Sequence, residues 1–466
     1  MIIGRVRRWS VLTVFVVMMS VSHIVSIAVH RAFYADGPYF FLKCLMDGFF
    51  IDWQRQRLFI TVINELPLFV ASRLHLRSYV WLSYFFSWPL FFFPLLLVII
   101  SSLLLHRKTG IKNLPIFIYL FFATPSLIFA INQAFLYLGL TVVSVSTFLA
   151  KKRLTKANKI GLVAAALIMT YGHETALLTF PVFFVYCIYR RWKKESGNYL
   201  IVLAIIYLLG FIFSFIWTTS AKSGNNLYII VLRDIVLHSR FYLEETSLLY
   251  VVAGISFLTI NYFLSFISND KNRKIVSGVK AGLIIILVVL LSRQAINMIF
   301  FKQVVGWYDF GLRILLLVGS VVASLCLLVP KKIITGILEG RAVLMTLIII
   351  TIFSSIWQFN HSIRWKRFLD SAEKYVNELS YSERADAEKI YQGYDADWPW
   401  PALSIFIQKG KVKVVVLPIR KEFDQYIQIP GKSGDRLAIP FSVINEGEFF
   451  DLSNFHYQKD PHSEVK

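Results

Sequence analysis

The feature that most limits what this chain can fold into is a regular alternation of long apolar runs with short basic clusters. Apolar runs occupy about 11–29, 79–105, 114–131, 133–150, 160–172, 175–189, 198–219, 247–267, 277–298, 312–330 and 342–358. A bilayer core is crossed by roughly 20 apolar residues in a helix. Within that core each backbone polar group must be bonded inside its own segment, which leaves helices as the spanning form for such runs. The composition agrees: 56% of residues are hydrophobic and only 17% charged, against about 25% charged in soluble domains. The expectation is a polytopic α-helical membrane protein with about eleven spans. The two short runs, 160–172 and 175–189, are the ones for which broken or re-entrant helices are the alternative.

The basic clusters set the orientation. Arg5, Arg7 and Arg8, then "HRKTGIK" (106–112), "KKRLTKANK" (151–159), "RRWKK" (190–194), "NDKNRK" (269–274) and Lys331–Lys332 all fall on one side if the spans are threaded in order. The acids in those loops are Glu195, Asp270 and Glu339. Lys and Arg are retained in cytoplasmic loops, so the N-terminus is expected inside and the C-terminus outside. The net charge of +21 is therefore a topological signal, and a nucleic-acid partner is not expected. The first run resembles a secretory leader, but it is long enough to span and no small-x-small cleavage site follows it. An uncleaved first helix is expected, with cleavage as the alternative. Cys44, Cys187 and Cys326 have no spacing that suggests a metal site or a disulfide framework.

Two regions follow from this threading. Residues 1–358 form the membrane part, with a first outer loop at 30–78 and another at 220–246. Residues 359–466 form a small extracytoplasmic α/β domain. In that tail "HSIRWKRFLDSAEKYVNEL" (361–379) has helical periodicity. "KVKVVVLPI" (411–419), "DQYIQIP" and "RLAIPFSVI" read as strands separated by Gly and Pro turns. In the first loop "FIDWQRQRLFI" (50–60) and "ITVINELPLFVASRLHL" (60–76) are amphipathic and suited to the interface plane.

The candidate site residues are polar groups facing outward. Asp36, in "RAFYADGPYFF" (31–41), is an acid beside the membrane surface. There a carboxylate serves as general base toward an acceptor hydroxyl; the alternative is a turn cap before Pro38. In "YGHET" (171–175), His173 and Glu174 sit between apolar runs, where polar groups are expensive; the alternative is a loop tip that needs polar residues to turn. Arg293 follows twelve apolar residues (281–292). A mid-span Arg costs ~2.5–3.5 kcal/mol and needs an anion or a path to water. A lipid phosphate meets that need, since guanidinium binds phosphate through two donors; snorkelling is the alternative. Lys302 and Arg313, with Asp309 between them, flank the next outer loop. Asp47, and in loop 220–246 Arg233 and His238, are secondary candidates, the latter two more simply read as part of a solvated charged helix. No metal site, Walker A sequence, HExxH, paired CxxC or Gly-rich nucleotide fingerprint is present. No cofactor is expected, and a divalent metal is not indicated.

The arrangement resembles the GT-C glycosyltransferases, integral-membrane enzymes that use lipid-phosphate-linked sugars. The resemblance is architectural and covers most of the chain: an inward N-terminus, a long outer first loop with an acid near its start, short helical hairpins after it, and an outward C-terminal domain. It implies Asp36, in "YADGPYF", as the catalytic base, with His173 and Glu174 in an acidic outer turn and Arg293 near the carrier phosphate. The chain departs from the commonest pattern in having no adjacent Asp-x-Asp, only Asp36 with Asp47 eleven residues on. The expected function is transfer of a sugar from a polyprenyl-phosphate donor to an extracytoplasmic glycan or lipid at the bacterial inner membrane, with membrane lipids as surroundings. The alternatives are a polysaccharide polymerase or ligase working through loop 220–246, a transporter or flippase, and a structural partner in an envelope complex.

Overall fold

The computed structural model describes residues 11–34, 37–48, 57–106, 111–124, 134–151, 154–173, 175–195, 197–220, 279, 310–338, 341–382, 400–417, 436–439, 442–445 and 449–452. Within them the protein is mostly helical. Helix α1 is Val11–Ala28, followed by a 3-10 turn at Arg31–Phe33; α2 is Gly37–Asp47, α3 Leu58–Arg73 and α4 Tyr79–Leu105. Helix α5 is Leu114–Ile118 and runs into a π-helical turn, Tyr119–Ala123; α6 is Ala134–Ala150, α7 Lys156–Thr170, α8 Ala176–Trp192 and α9 Tyr199–Ser220. Helices α10 (Phe310–Leu325), α11 (Lys331–Leu338), α12 (Arg341–Glu378) and α13 (Trp400–Ile407) follow.

Among the described residues four helices are long and apolar enough to cross a membrane: Val11–Ala28, Tyr79–Leu105, Tyr199–Ile216 and Val343–Glu378. The protein is therefore read as membrane-embedded. Runs 247–267 and 277–298 lie outside the described residues, apart from Val279.

The helices associate as helices in lipid do, through small residues and buried hydroxyls. Helices α8 and α9 pack tightly because Gly210 has no side chain. A Cβ there would lie 2.3 Å from the Phe180 ring and 2.8 Å from the Thr170 hydroxyl. Helix α10 meets the π turn in the same manner, with Gly319 against Phe122. Helix α7 starts with a capping box: Thr155 accepts from the Asn158 backbone N–H, and the Asn158 side chain accepts from that of Thr155. At the basic end of α8, Arg190 donates to Glu195 at 2.9 Å and to the Lys151 carbonyl at 3.1 Å, tying two of the cationic loops together.

Among the described residues helix α12 is the longest element. Its 38 residues extend about 57 Å at 1.5 Å per residue, well beyond an apolar core of ~30 Å. The expected division at 358–359 falls inside this helix, whose second half carries Arg364, Lys366, Arg367 and Asp370. No Gly or Pro interrupts "SSIWQFNHSIRWKRF" (354–368), so nothing in the backbone stops the helix where the composition turns polar.

The C-terminal segments differ from the strands expected of them. "RLAIPFSVI" is a hairpin rather than one strand: β1 (Arg436–Ile439) pairs antiparallel with β2 (Ser442–Asn445), in a register that places Ile439 opposite Ser442. Pro440 cannot donate to a ladder. "KVKVVV" (411–416) forms no ladder with either strand, and its backbone groups bond mainly to side chains. The Gln408 side chain accepts from the N–H groups of Lys413 (2.8 Å) and Val414 (3.2 Å) and donates to the Val414 carbonyl. Ser382 and Ser404 accept from Val415 and Val416. Val412, Val414, Val415 and Val416 are buried, so these polar caps satisfy backbone that water does not reach. "DQYIQIP" lies outside the described residues. Residues 449–452 bind alongside: Val412 N–H donates to Asp451 at 2.9 Å and Asp451 N–H to Gly410 at 2.8 Å. The Tyr79 hydroxyl at the start of α4 donates to the Phe449 carbonyl at 3.0 Å. Gly410, at φ +82°, permits this approach; a Cβ there would lie 2.2 Å from that carbonyl oxygen.

Candidate functional site

The stretch "RAFYADG" (31–37) turns the chain out of α1. His30 adopts a left-handed conformation (φ 56°, ψ 36°), and the 3-10 turn begins behind it. The Tyr34 N–H closes on Arg31 and the Gly37 N–H on Tyr34. A Cβ on Gly37 would lie 1.9 Å from the Ala32 carbonyl oxygen, so only glycine fits that position. Ala35 and Asp36 lie outside the described residues; the turn and α2 bracket them.

Arg31 is the centre of a buried polar cluster at this end of the bundle. It is only 1% exposed. Its Nη1 donates to the Gln358 carbonyl at 3.2 Å, the Ser26 hydroxyl at 3.3 Å and the Ser362 hydroxyl at 3.5 Å. Ser26 and Ser362 are themselves 3.0 Å apart. The Gln358 amide donates to the Thr124 carbonyl, 2.7 Å away, just after the π turn. The cluster arises from spacing. Ser355, Gln358, His361 and Ser362 fall three and four apart and share one stripe of α12, and Ser22 and Ser26 do so on α1. All six are buried. Trp365, one turn further, donates its indole N–H to the His30 carbonyl at 2.9 Å. A guanidinium has five donors and stays charged, and desolvating it is expensive. Here the group ties the turn after α1 to the polar stripe of α12.

His30 is close to this cluster but turned the other way. Its Nδ1 is 3.0 Å from the Ser83 hydroxyl, and its ring stacks on Tyr84 at 5.5 Å. Burial, and then the charges of Lys366 and Lys409, lower its pKa from 6.5 to about 4, so it is neutral at physiological pH.

His173 occupies the tip between α7 and α8 and is buried. Its Nδ1 accepts the Thr175 backbone N–H at 3.2 Å and lies 2.7 Å from the Thr175 hydroxyl. A backbone N–H can only donate, so the proton of the neutral ring is on Nε2. The same tip meets the first loop. The Phe59 N–H donates to the Tyr171 carbonyl at 3.2 Å, their rings are 5.2 Å apart, and Gly172 sits against Ile60. Helix α3 thus lies on the "YGHET" turn and buries Thr61, Asn64 and Glu65. Among the described residues the Thr61 hydroxyl and the Asn64 side-chain oxygen find no hydrogen-bond partner. Burial, and then the Glu65 carboxylate, push the Cys44 thiol on α2 well above its ordinary range.

The other expected site residues fall as follows. Asp47 is half exposed and pairs with Lys43, one turn back on α2. Arg313 lies in the first turn of α10. Asp36, Glu174, Arg293, Lys302, Arg233 and His238 lie outside the described residues. Arg31 and Glu65, both in the first loop, and the polar stripe on α12 are not among the expected site residues. Their signal is present in the chain: Arg31 directly follows the first span, and "SSIWQFNHS" (354–362) places four polar groups at helical spacing in an otherwise apolar run. Among the described residues no group of three His, Cys, Asp or Glu is placed to hold a metal ion.

No family model matches this chain, and neither a curated protein nor a solved structure matches it.

Proposed function

We propose that this chain is a GT-C-like glycosyltransferase of the bacterial inner membrane, with about eleven spans, its N-terminus in the cytoplasm and its C-terminal α/β domain outside. It transfers a sugar from a polyprenyl-phosphate donor to an extracytoplasmic glycan or lipid. The observation that supports this reading is the anchoring of the outer end of the first span: Arg31, buried, donates to the Gln358 carbonyl and the Ser362 hydroxyl of α12. That contact gives the loop whose sequence carries Asp36 a fixed base, as a site at the membrane surface requires.

In this mechanism Asp36 accepts the proton of the acceptor hydroxyl. The hydroxyl oxygen bonds to the anomeric carbon, and the bond from that carbon to the phosphate oxygen breaks. The lipid phosphate leaves with the electron pair, its charge held by Arg293 with Lys302 and Arg313. His173 and Glu174 position donor or acceptor.

The test is transfer from a synthetic polyprenyl-phosphate sugar by purified protein in nanodiscs, together with binding of the carrier phosphate. Asp36→Asn should abolish transfer and keep carrier binding; Arg293→Ala should lose binding. An active Asp36→Asn variant removes Asp36 from the base role. Loss of activity on substitution of Arg233 or His238, with Asp36 dispensable, points to a polymerase or ligase. No carrier binding by the wild type points to a transporter or a structural protein.

A further inference from the structure

A cleft of about 200 Å³ opens beside His30, apart from the Arg31 cluster. Its walls are the ends of α1 and α4, the charged half of α12 and the turn after α13. Lys366, Lys409, Asp370 and Glu373 line it, with His30 and Tyr79. We infer that this cleft binds the headgroup of a zwitterionic phospholipid, a phosphoethanolamine whose acyl chains lie along α1 and α4. The inference does not depend on the transferase reading.

Charge selects the headgroup. Two lysines face two carboxylates, and His30 between them is neutral, so the cleft has no net charge to attract a simple anion. Lys366 and Asp370 pair with each other along α12. Among the described residues Lys409 and Glu373 carry no ion pair, and both are exposed. That leaves one open cation and one open anion in the same cleft. A phosphate joined to a primary ammonium presents the complementary pair, with three ammonium donors for Glu373 and phosphate oxygens for Lys409. A phosphatidylglycerol headgroup leaves the carboxylate unanswered.

Position selects a lipid over a soluble zwitterion. Ala28 and Val80, at the ends of α1 and α4, line the cleft. Below it Val17, Val21 and Ile24 on α1 and Val80, Trp81, Phe85 and Trp88 on α4 are large, apolar and exposed. These lie on two helices apolar enough to span. Trp81 sits where the apolar wall gives way to the charged cleft, as aromatic residues do at the membrane border.

The test uses the full-length protein in detergent and native mass spectrometry with added phosphatidylethanolamine, phosphatidylglycerol or soluble glycerophosphoethanolamine. The expected result is retention of phosphatidylethanolamine over phosphatidylglycerol, with little effect of the soluble compound. Glu373→Gln and Lys409→Met should each lower that retention by about fivefold, the upper range for one exposed charge contact. Unchanged thermal unfolding of both variants separates lost binding from lost fold, because both side chains are exposed. Equal retention of the two lipids, or retention unchanged in both variants, overturns the inference. Full displacement by glycerophosphoethanolamine also overturns it, in favour of a soluble ligand.

Discussion

Arg31 and Gln358 are 327 positions apart in the chain, yet the Arg31 Nη1 donates to the Gln358 carbonyl oxygen at 3.2 Å. This contact joins the 3-10 turn after α1 to α12 and reaches the end of the π turn through the Gln358 amide. Arg31→Ala removes the donor and leaves a cavity among buried polar groups. Stability should fall by roughly 3 kcal/mol, the range for breaking a buried charged contact. Arg31→Lys, a point charge without the fork, should recover part of it. Thermal unfolding in detergent reads both, and an unchanged midpoint for Arg31→Ala means the cluster stabilises nothing.

Gly37 gives a second prediction. Gly37→Ala drives a methyl group into the Ala32 carbonyl, which backbone movement alone can relieve. The turn at Arg31–Tyr34 and the start of α2 should part, at a cost of about 1–3 kcal/mol, and any activity that depends on the segment between them should be lost with it. Protease sensitivity across 30–40 reports the opening. A resistant, stable Gly37→Ala protein contradicts the turn described here.

Two glycines in neighbouring helices should respond with opposite sign. Gly210→Ala forces apart α8 and α9 and should destabilise by roughly 1–3 kcal/mol. A Cβ added at Gly161 on α7 would meet nothing within 4 Å, so Gly161→Ala should be neutral or add up to about 1 kcal/mol through helix propensity. Matched unfolding curves decide it: equal effects at the two sites would mean that close packing at Gly210 is unimportant.

His30 predicts a pH dependence. Its pKa is about 4 in the folded protein and 6.5 ordinarily. Between those values the unfolded chain binds a proton that the folded one refuses, so stability falls as pH drops from 6.5 towards 4. The loss is at most about 3 kcal/mol. The charges acting on the ring are Lys366 and Lys409; Asp370 and Glu373 line the same cleft. Asn tolerates the left-handed backbone at this position, so His30→Asn is the suitable variant, and it should flatten the slope of midpoint against pH. Identical slopes for the two proteins would assign the effect elsewhere.

How much of this is legible in the sequence depends on the kind of signal. The apolar run at 79–105 coincides with α4, and 11–29 and 198–219 with α1 and α9 to within a residue or two, because composition alone separates lipid-facing helix from loop. The end of α12 is legible, since 361–379 reads as helical, but its continuity with the apolar run 342–358 is not. Hydropathy falls after 358, but helix propensity does not, and the helix follows propensity. Nor is the lack of a ladder at 411–416. β-branched residues suggest a strand, while the bonds come from Gln408, Ser382 and Ser404, whose proximity no local pattern encodes. Arg31 is hidden for a related reason: its partners are on a helix more than 300 residues away, and spacing on one element does not tell which other element it faces.

The bond from Tyr79 to the Phe449 carbonyl has a consequence for how the protein is made. A ribosome adds Tyr79 some 370 residues before its partner, an interval of about 20–70 s at ~5–20 residues per second. Through that time the Tyr79 hydroxyl at the start of α4 lacks this acceptor, and the turn at Gly410 has no segment to hold. That contact is therefore made only once residue 449 has been added. A chain cut short before residue 449 carries all the apolar helices described here and lacks that fastening, which gives a membrane protease a local difference by which to tell a finished copy from an unfinished one.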